Sequence, residues 1–154
     1  METLEKLKEM GAINPFSNRL PTIEDVNNLE KELNILLPNS YKTYLLDYSN
    51  ISLGVYELLK PFRDNTYLDM VNVVESSREM LPPNLIPFLY DNGDYFCFNL
   101  NKNAPDYEIV FWSHNGQTDE KWPNFMTWVE KCWIGEQENQ DNGLLDDFMK
   151  SIGL

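Results

Sequence analysis

Basic residues are scarce in this chain. Twelve Lys and Arg stand against 25 Asp and Glu in 154 residues, a formal net charge of −13 with a single histidine. A surface of that sign repels phosphate backbones and anionic lipid, which argues against direct binding of nucleic acid or of a membrane. Cysteine is nearly absent. Cys97 and Cys132 are too few for a disulfide framework, and each sits among aromatics, as Tyr95-Phe96-Cys97-Phe98 and Lys131-Cys132-Trp133, the setting of a buried and inert thiol. The seven glycines form no GxxxxGK[ST] or GxGxxG phosphate cradle. With no HExxH, CxxC or Cys/His cluster, no zinc-site spacing is present, and neither a metal nor another cofactor is expected. No apolar run approaches the ~18 residues of a membrane span. The opening residues 1–10 alternate charge and have no apolar core of a signal peptide, so a cytoplasmic location is expected.

Apolar residues, by contrast, are plentiful. A hydrophobic fraction of 42% with 13% aromatics excludes a disordered chain, and the length fits a single domain over residues 1–154. The negative charge rises along the chain, from −3 over residues 1–50 to −4 over 51–100 and −6 over 101–154. Such a surface steers a basic protein inward at high rate. Solubility alone is the competing explanation for the same charge.

Helical periodicity dominates the first third. Leu4, Leu7 and Met10 recur at helical spacing before Gly11. Thr22 and Asp25 form a capping-box analogue ahead of Ile23, Val26, Leu29, Leu33 and Leu36, an expected apolar stripe. Pro38 is expected to end that helix and to sit at the first turn of the next, with Tyr41, Tyr44, Leu45 and Tyr48 as its buried face. The period then changes. Residues 55–59, 85–90, 95–100 and 107–112 read as strands, and Asp91-Asn92-Gly93-Asp94 and Ser113-His114-Asn115-Gly116 read as turns between them, an antiparallel meander. Pro87 marks an edge strand or a strand start. Trp122, Phe125, Trp128 or Val129, and Trp133 then fit one face of a helix opened by Pro123, residues 136–141 read as a loop, and Leu144 to Ile152 as a final helix. The fold class expected is α+β, with N-terminal amphipathic helices, a meander, and C-terminal helices packed on the sheet.

Catalytic chemistry is hard to find. His114 falls in a turn, and a Cys97–His114 pair lacks any group to lower the thiol pKa. Asp91, Asn92 and Asp94 are oxygen ligands suited to a hard cation, but a hairpin turn accounts for the same residues. Carboxylate-only catalysis stays open in principle among so many acids. A binding protein is the better class, and no enzyme is expected.

Three segments in order carry a resemblance. Leu36-Leu37-Pro38-Asn39-Ser40-Tyr41-Lys42-Thr43-Tyr44-Leu45 resembles the Leu-Pro-x-x-Tyr-Lys-x-Phe-Leu signature of the SUKH superfamily, the Smi/Knr-like domains, and the preceding residues 23–33 are similar to that family's polar helix. Ile86-Pro87-Phe88 with Gly93-Asp94-Tyr95-Phe96-Cys97-Phe98 is similar to its Ile-Pro-Phe … Gly-Asp-x-x-Cys hairpin, and Ile109-Val110-Phe111-Trp112-Ser113-His114 to its next strand. The resemblance spans about residues 22–133. In physical terms the motif residues are structural: Pro38 sets an elbow, Tyr41 buries against the sheet, Gly93 allows positive φ, Asp94 caps the turn, and Trp112 is expected to close the sheet face with an indole hydrogen bond.

The resemblance implies a cytoplasmic immunity protein that binds and neutralises a cognate polymorphic toxin, in many cases a nuclease whose cleft is basic. It also leaves the alternative of an intracellular regulatory or scaffold domain. The expected partner is therefore a protein, a basic toxin domain. Residues 134–148 carry Glu136, Glu138, Asp141, Asp146 and Asp147 and no Lys or Arg. Asp146 and Asp147 suit the first turn of the last helix, whereas Glu136, Glu138 and Asp141 form the expected partner-facing edge, against an ordinary solvated loop. The Asp91, Asp94 and His114 turns are the alternative contact.

Overall fold

The computed structural model describes residues 2–153, without the side chains of residues 142 and 144–147. Helix α1 (Glu2–Met10) buries Leu4 and Leu7. Gly11 follows it so closely against Ile51 that a Cβ there would lie 2.6 Å from the isoleucine side chain. This approach lets β1 (Ala12–Ile13) pair antiparallel with β2 (Ile51–Ser52). Helix α2 (Ile23–Leu33) starts on the expected capping box, with Asp25 N donating to Thr22 Oγ1 at 3.2 Å and Thr22 N to Asp25 Oδ2 at 2.9 Å. Its stripe is shorter than expected. Val26, Leu29 and Leu33 are buried, but Ile23 at the helix start is exposed, and so is Leu36, because Asn34 adopts a left-handed φ of 55° and stops the helix well before Pro38.

Pro38 takes the N-cap position of helix α3 (Asn39–Tyr48), whose Tyr41, Tyr44, Leu45 and Tyr48 are all buried. A carboxylate of α2 clamps the elbow between the two helices. Glu30 Oε2 accepts from Leu37 N at 2.8 Å and pairs with Lys42 Nζ at 3.1 Å. The residues around the Leu-Pro step are thus joined by a charge-assisted bond to a backbone donor that no helix satisfies. Residues 55–59, expected as a strand, make only isolated bridges, Leu53 with Tyr56 and Leu58 with Leu89. Helix α4 (Met70–Ser77) begins on Asp69, a buried carboxylate held by Arg63 Nε at 3.2 Å and by Asn65 N at 3.1 Å.

The sheet is a meander of β3 (Leu85–Asp91), β4 (Asp94–Asn99), β5 (Glu108–Ser113) and β6 (Gly116–Trp122), antiparallel and in chain order. Pro87 lies in β3, an edge strand as its missing N–H requires. Strand β6 was not expected. It is the other edge and turns only Thr118 and Trp122 partly inward beyond its first residue, so no apolar alternation marks it. On one sheet face, Phe88, Phe96, Phe98 and Ile109 join the main core. The Tyr41 ring there lies 5.0 Å from both Phe98 and Phe125. The opposite face carries a smaller cluster of Leu81, Leu85, Tyr95, Cys97 and Val110, with Trp112 packed against it.

Helix α5 (Phe125–Trp128) is capped by Asn124, whose Oδ1 accepts from Thr127 N at 2.8 Å. Trp122 therefore closes β6 rather than opening a helix. A π-helical turn over Val129–Ile134 continues from α5, and its wider winding turns Val129, Cys132, Trp133 and Ile134 all inward. Trp133 Nε1 donates to Leu53 O at 2.9 Å, so the buried indole bond expected of Trp112 is made by a different tryptophan. Helix α6 (Gly135–Ser151) follows without a break. Residues 136–141 are its first turns and not a loop, and Asp146 and Asp147 fall far from its N-terminus, with side chains outside the described residues. The architecture is α+β, as the sequence implies. Among the described residues no helix is long and apolar enough to cross a membrane.

Candidate partner-binding face

The two turns named from sequence meet. Asn92 with φ 50° and Gly93 with φ 90° make the two-residue connection that matches the twist of a β-hairpin, and Asp91 and Asp94 face each other across it. Gly93 has a second reason to lack a side chain, since a Cβ there would lie 3.2 Å from His114 Cβ. Asp94 does not cap its own turn. Its Oδ1 accepts from His114 N at 2.8 Å and lies 3.1 Å from His114 Nδ1, so it caps the β5–β6 turn. Those two bonds from His114 hold the Asp94 carboxyl below its ordinary pKa. His114 is thereby engaged with Asp94 and not with Cys97, which is sealed in the smaller cluster and whose thiol pKa burial pushes up.

The acidic edge of α6 divides. Successive helix positions turn by about 100°, so residues two apart point to nearly opposite sides. Glu138 pairs with Lys6 of α1 at 2.5 Å. Asp141 is exposed and accepts from Gln137 Nε2 at 3.2 Å. Glu136 turns toward the sheet, where Tyr56 OH donates to its Oε2 at 3.0 Å. The Glu136 Oε1 also lies 3.9 Å from Cys132 Sγ. Burial foremost, with the Glu136 charge beside it, pushes the Cys132 thiol up to about 12, which leaves it protonated and non-nucleophilic near neutral pH.

Asp91, Asp94 and Glu136 therefore surround one pouch of about 180 Å³, together with Glu120 of β6. Its apolar walls are Tyr56, Leu89, Phe96, Phe111 and Trp122. Four carboxylates above an aromatic wall make a receptor for a cation: acceptors for each N–H, and ring faces for the alkyl stem or the guanidinium plane. Sequence reasoning missed Glu120, because its strand carries no periodic signal, and Tyr56, because its segment belongs to no regular strand. Glu138 and Asp141 do not line the pouch. Pro38, Tyr41 and Trp112 are placed in the elbow, the main core and the opposite sheet face.

The SUKH_5 family model, described as SMI1-KNR4 cell-wall, matches residues 1–134. This chain belongs to the SUKH family. The match ends with the π-helical turn, so the SUKH region holds Asp91, Asp94 and Glu120, while Glu136 lies just beyond it on α6. The chain is also similar to a solved structure, the crystal structure of a protein from Pseudomonas syringae pv. tomato, at 24% identity and a TM-score of 0.74, over 87% of this chain and 98% of that one. That likeness shows that the two share a fold. No curated protein matches this chain.

Proposed function

We propose that this SUKH protein is an immunity-type binding module that neutralises a cognate polymorphic toxin by docking on the toxin's basic surface. The observation that carries the reading is the convergence of Asp91, Asp94, Glu120 and Glu136 on one aromatic-walled pouch in a chain of net charge −13. A nuclease cleft is basic because it must hold phosphates, so an acidic plug fits it. Charge supplies association rate and specificity, and a few buried anchors supply affinity. Binding, with no chemical step, and a cytoplasmic site of action belong to this reading.

Gene neighbourhood and co-expression test it. The expected context is an adjacent large gene with a variable C-terminal toxin domain, and co-expression of this chain is expected to rescue cells that produce that domain. Failure to rescue overturns the reading. The cell-wall term in the family description favours a second reading, an intracellular regulatory interaction domain. A pull-down that returns housekeeping proteins and no toxin is the outcome that supports it.

A further inference from the structure

The acidic pouch is one end of a longer groove. It shares Leu89 and Asp91 with a neighbouring hollow of about 210 Å³ walled by Val55, Tyr67 and Tyr90. That hollow in turn shares Val55, Glu57, Tyr67 and Leu68 with a wider concavity of about 660 Å³ over Pro15, Phe16 and Phe62. The far end is apolar and open. Phe16 is 97% exposed, Val55 81% and Tyr67 70%, three side chains that the fold itself leaves uncovered. Carboxylates follow the whole course, with Asp64 and Glu57 at the apolar end and Asp91, Asp94, Glu120 and Glu136 at the pouch. Glu57 is held in place by Tyr67 OH, 3.1 Å from both its oxygens. Lys60 is the one cation among the groove's lining residues, and it is turned inward, its Nζ donating to Ser17 Oγ at 3.0 Å and Ser49 O at 3.1 Å. Lys60 feels the charges of Glu57 and Asp64, and Arg19 stacks on Phe62, so basic groups offset part of the charge at that end, whereas among the described residues no Lys, Arg or His lines the pouch.

We infer that this groove receives an extended segment of a basic protein partner, seating an apolar side chain on Phe16, Val55 and Tyr67 and a lysine or arginine in the pouch. The inference rests on the binding-module reading above and names the chemistry of the segment it takes. Charge complementarity selects the occupant. A second copy of this chain brings another −13 and is repelled, whereas a basic segment finds acceptors along its full path. The apolar end supplies the area that a cation pouch alone lacks, since exposed acid–base pairs contribute little by themselves.

The test is a heteronuclear NMR titration of the full chain with three capped hexapeptides that alternate leucine and arginine, leucine and glutamate, or serine and arginine. The leucine–arginine peptide is expected to shift resonances of Val55, Tyr67, Tyr56 and the Trp122 indole. The leucine–glutamate peptide is expected to shift none of them, and the serine–arginine peptide to bind at least about fivefold more weakly. Phe16→Ser with Val55→Ser, at unchanged melting temperature, is expected to weaken leucine–arginine binding by a similar factor, and Glu120→Lys likewise. Equal binding of the two arginine peptides, or shifts confined to the outer face of α6, overturns the groove. Toxin rescue is scored separately: a protein that rescues without groove binding defeats this inference alone, and one that binds the peptide without rescuing defeats only the immunity reading.

Discussion

Asp94 Oδ1 sits 2.8 Å from His114 N and 3.1 Å from His114 Nδ1, joining the first residue of β4 to the turn beyond β5. One carboxylate thus ties the β3–β4 hairpin, whose Asp91 and Asp94 border the acidic pouch, to the β5–β6 turn.

Removing that carboxylate by Asp94→Ala is expected to lower unfolding stability by about 1 kcal/mol near neutral pH, the value of a charge-assisted bond discounted for its solvent exposure. The sign with pH follows from the direction of the shift. The folded-state pKa of Asp94 is lowered, so its contribution is full above the unfolded value of about 3.9 and is lost as pH falls below that through the folded value. Denaturant titrations of both proteins between pH 7 and pH 3 are expected to show the gap closing only at the acid end.

Glu30→Ala leaves Leu37 N without its acceptor and Lys42 without its partner, 2.8 and 3.1 Å away in the native chain. A loss of about 2–3 kcal/mol is expected, because an orphaned, part-buried backbone donor costs its desolvation in full. Glu30→Gln keeps an acceptor and is expected to recover about half. Urea midpoints at constant m-value are the measurement.

Both thiols are expected to resist a thiol-reactive disulfide reagent in the native state at pH 8 and to react in guanidinium. Cys97 is fully buried, Cys132 is 5% exposed, and burial raises both pKa values. Rapid native labelling of either residue contradicts the packing described.

Association with a cognate basic partner is expected to separate the acidic residues by where they point. Glu120→Gln and Asp91→Asn, which alter the pouch, are expected to slow association several-fold and flatten its salt dependence. Glu138→Gln removes a carboxylate already paired with Lys6 and is expected to change the rate little. Stopped-flow rates across ionic strength distinguish the two sets.

How much of this was legible in the linear chain depended on whether a residue's role is local. The capping box of Thr22 and Asp25, the apolar stripe of α3 and the Asn92-Gly93 hairpin follow from short-range sterics, hydrogen bonding and periodicity, and the sequence by itself determined them, while Pro87 left β3 open as an edge strand or a strand start. The order of those segments also carried the family. Strand β6 escaped notice because an edge strand with one half-covered face needs no apolar alternation. The final helix was expected from Leu144, but the first turns of α6 escaped because they are polar and continue a packed π-helical turn rather than starting from a cap. Only the tertiary structure decided which carboxylates act together. Glu136 and Glu138 are two residues apart and face different neighbours, Tyr56 and Lys6, because a helix rotates them apart. Glu136 and Asp91 are far apart in sequence yet line one pouch, because the meander and the π-helical turn place the start of α6 beside the hairpin.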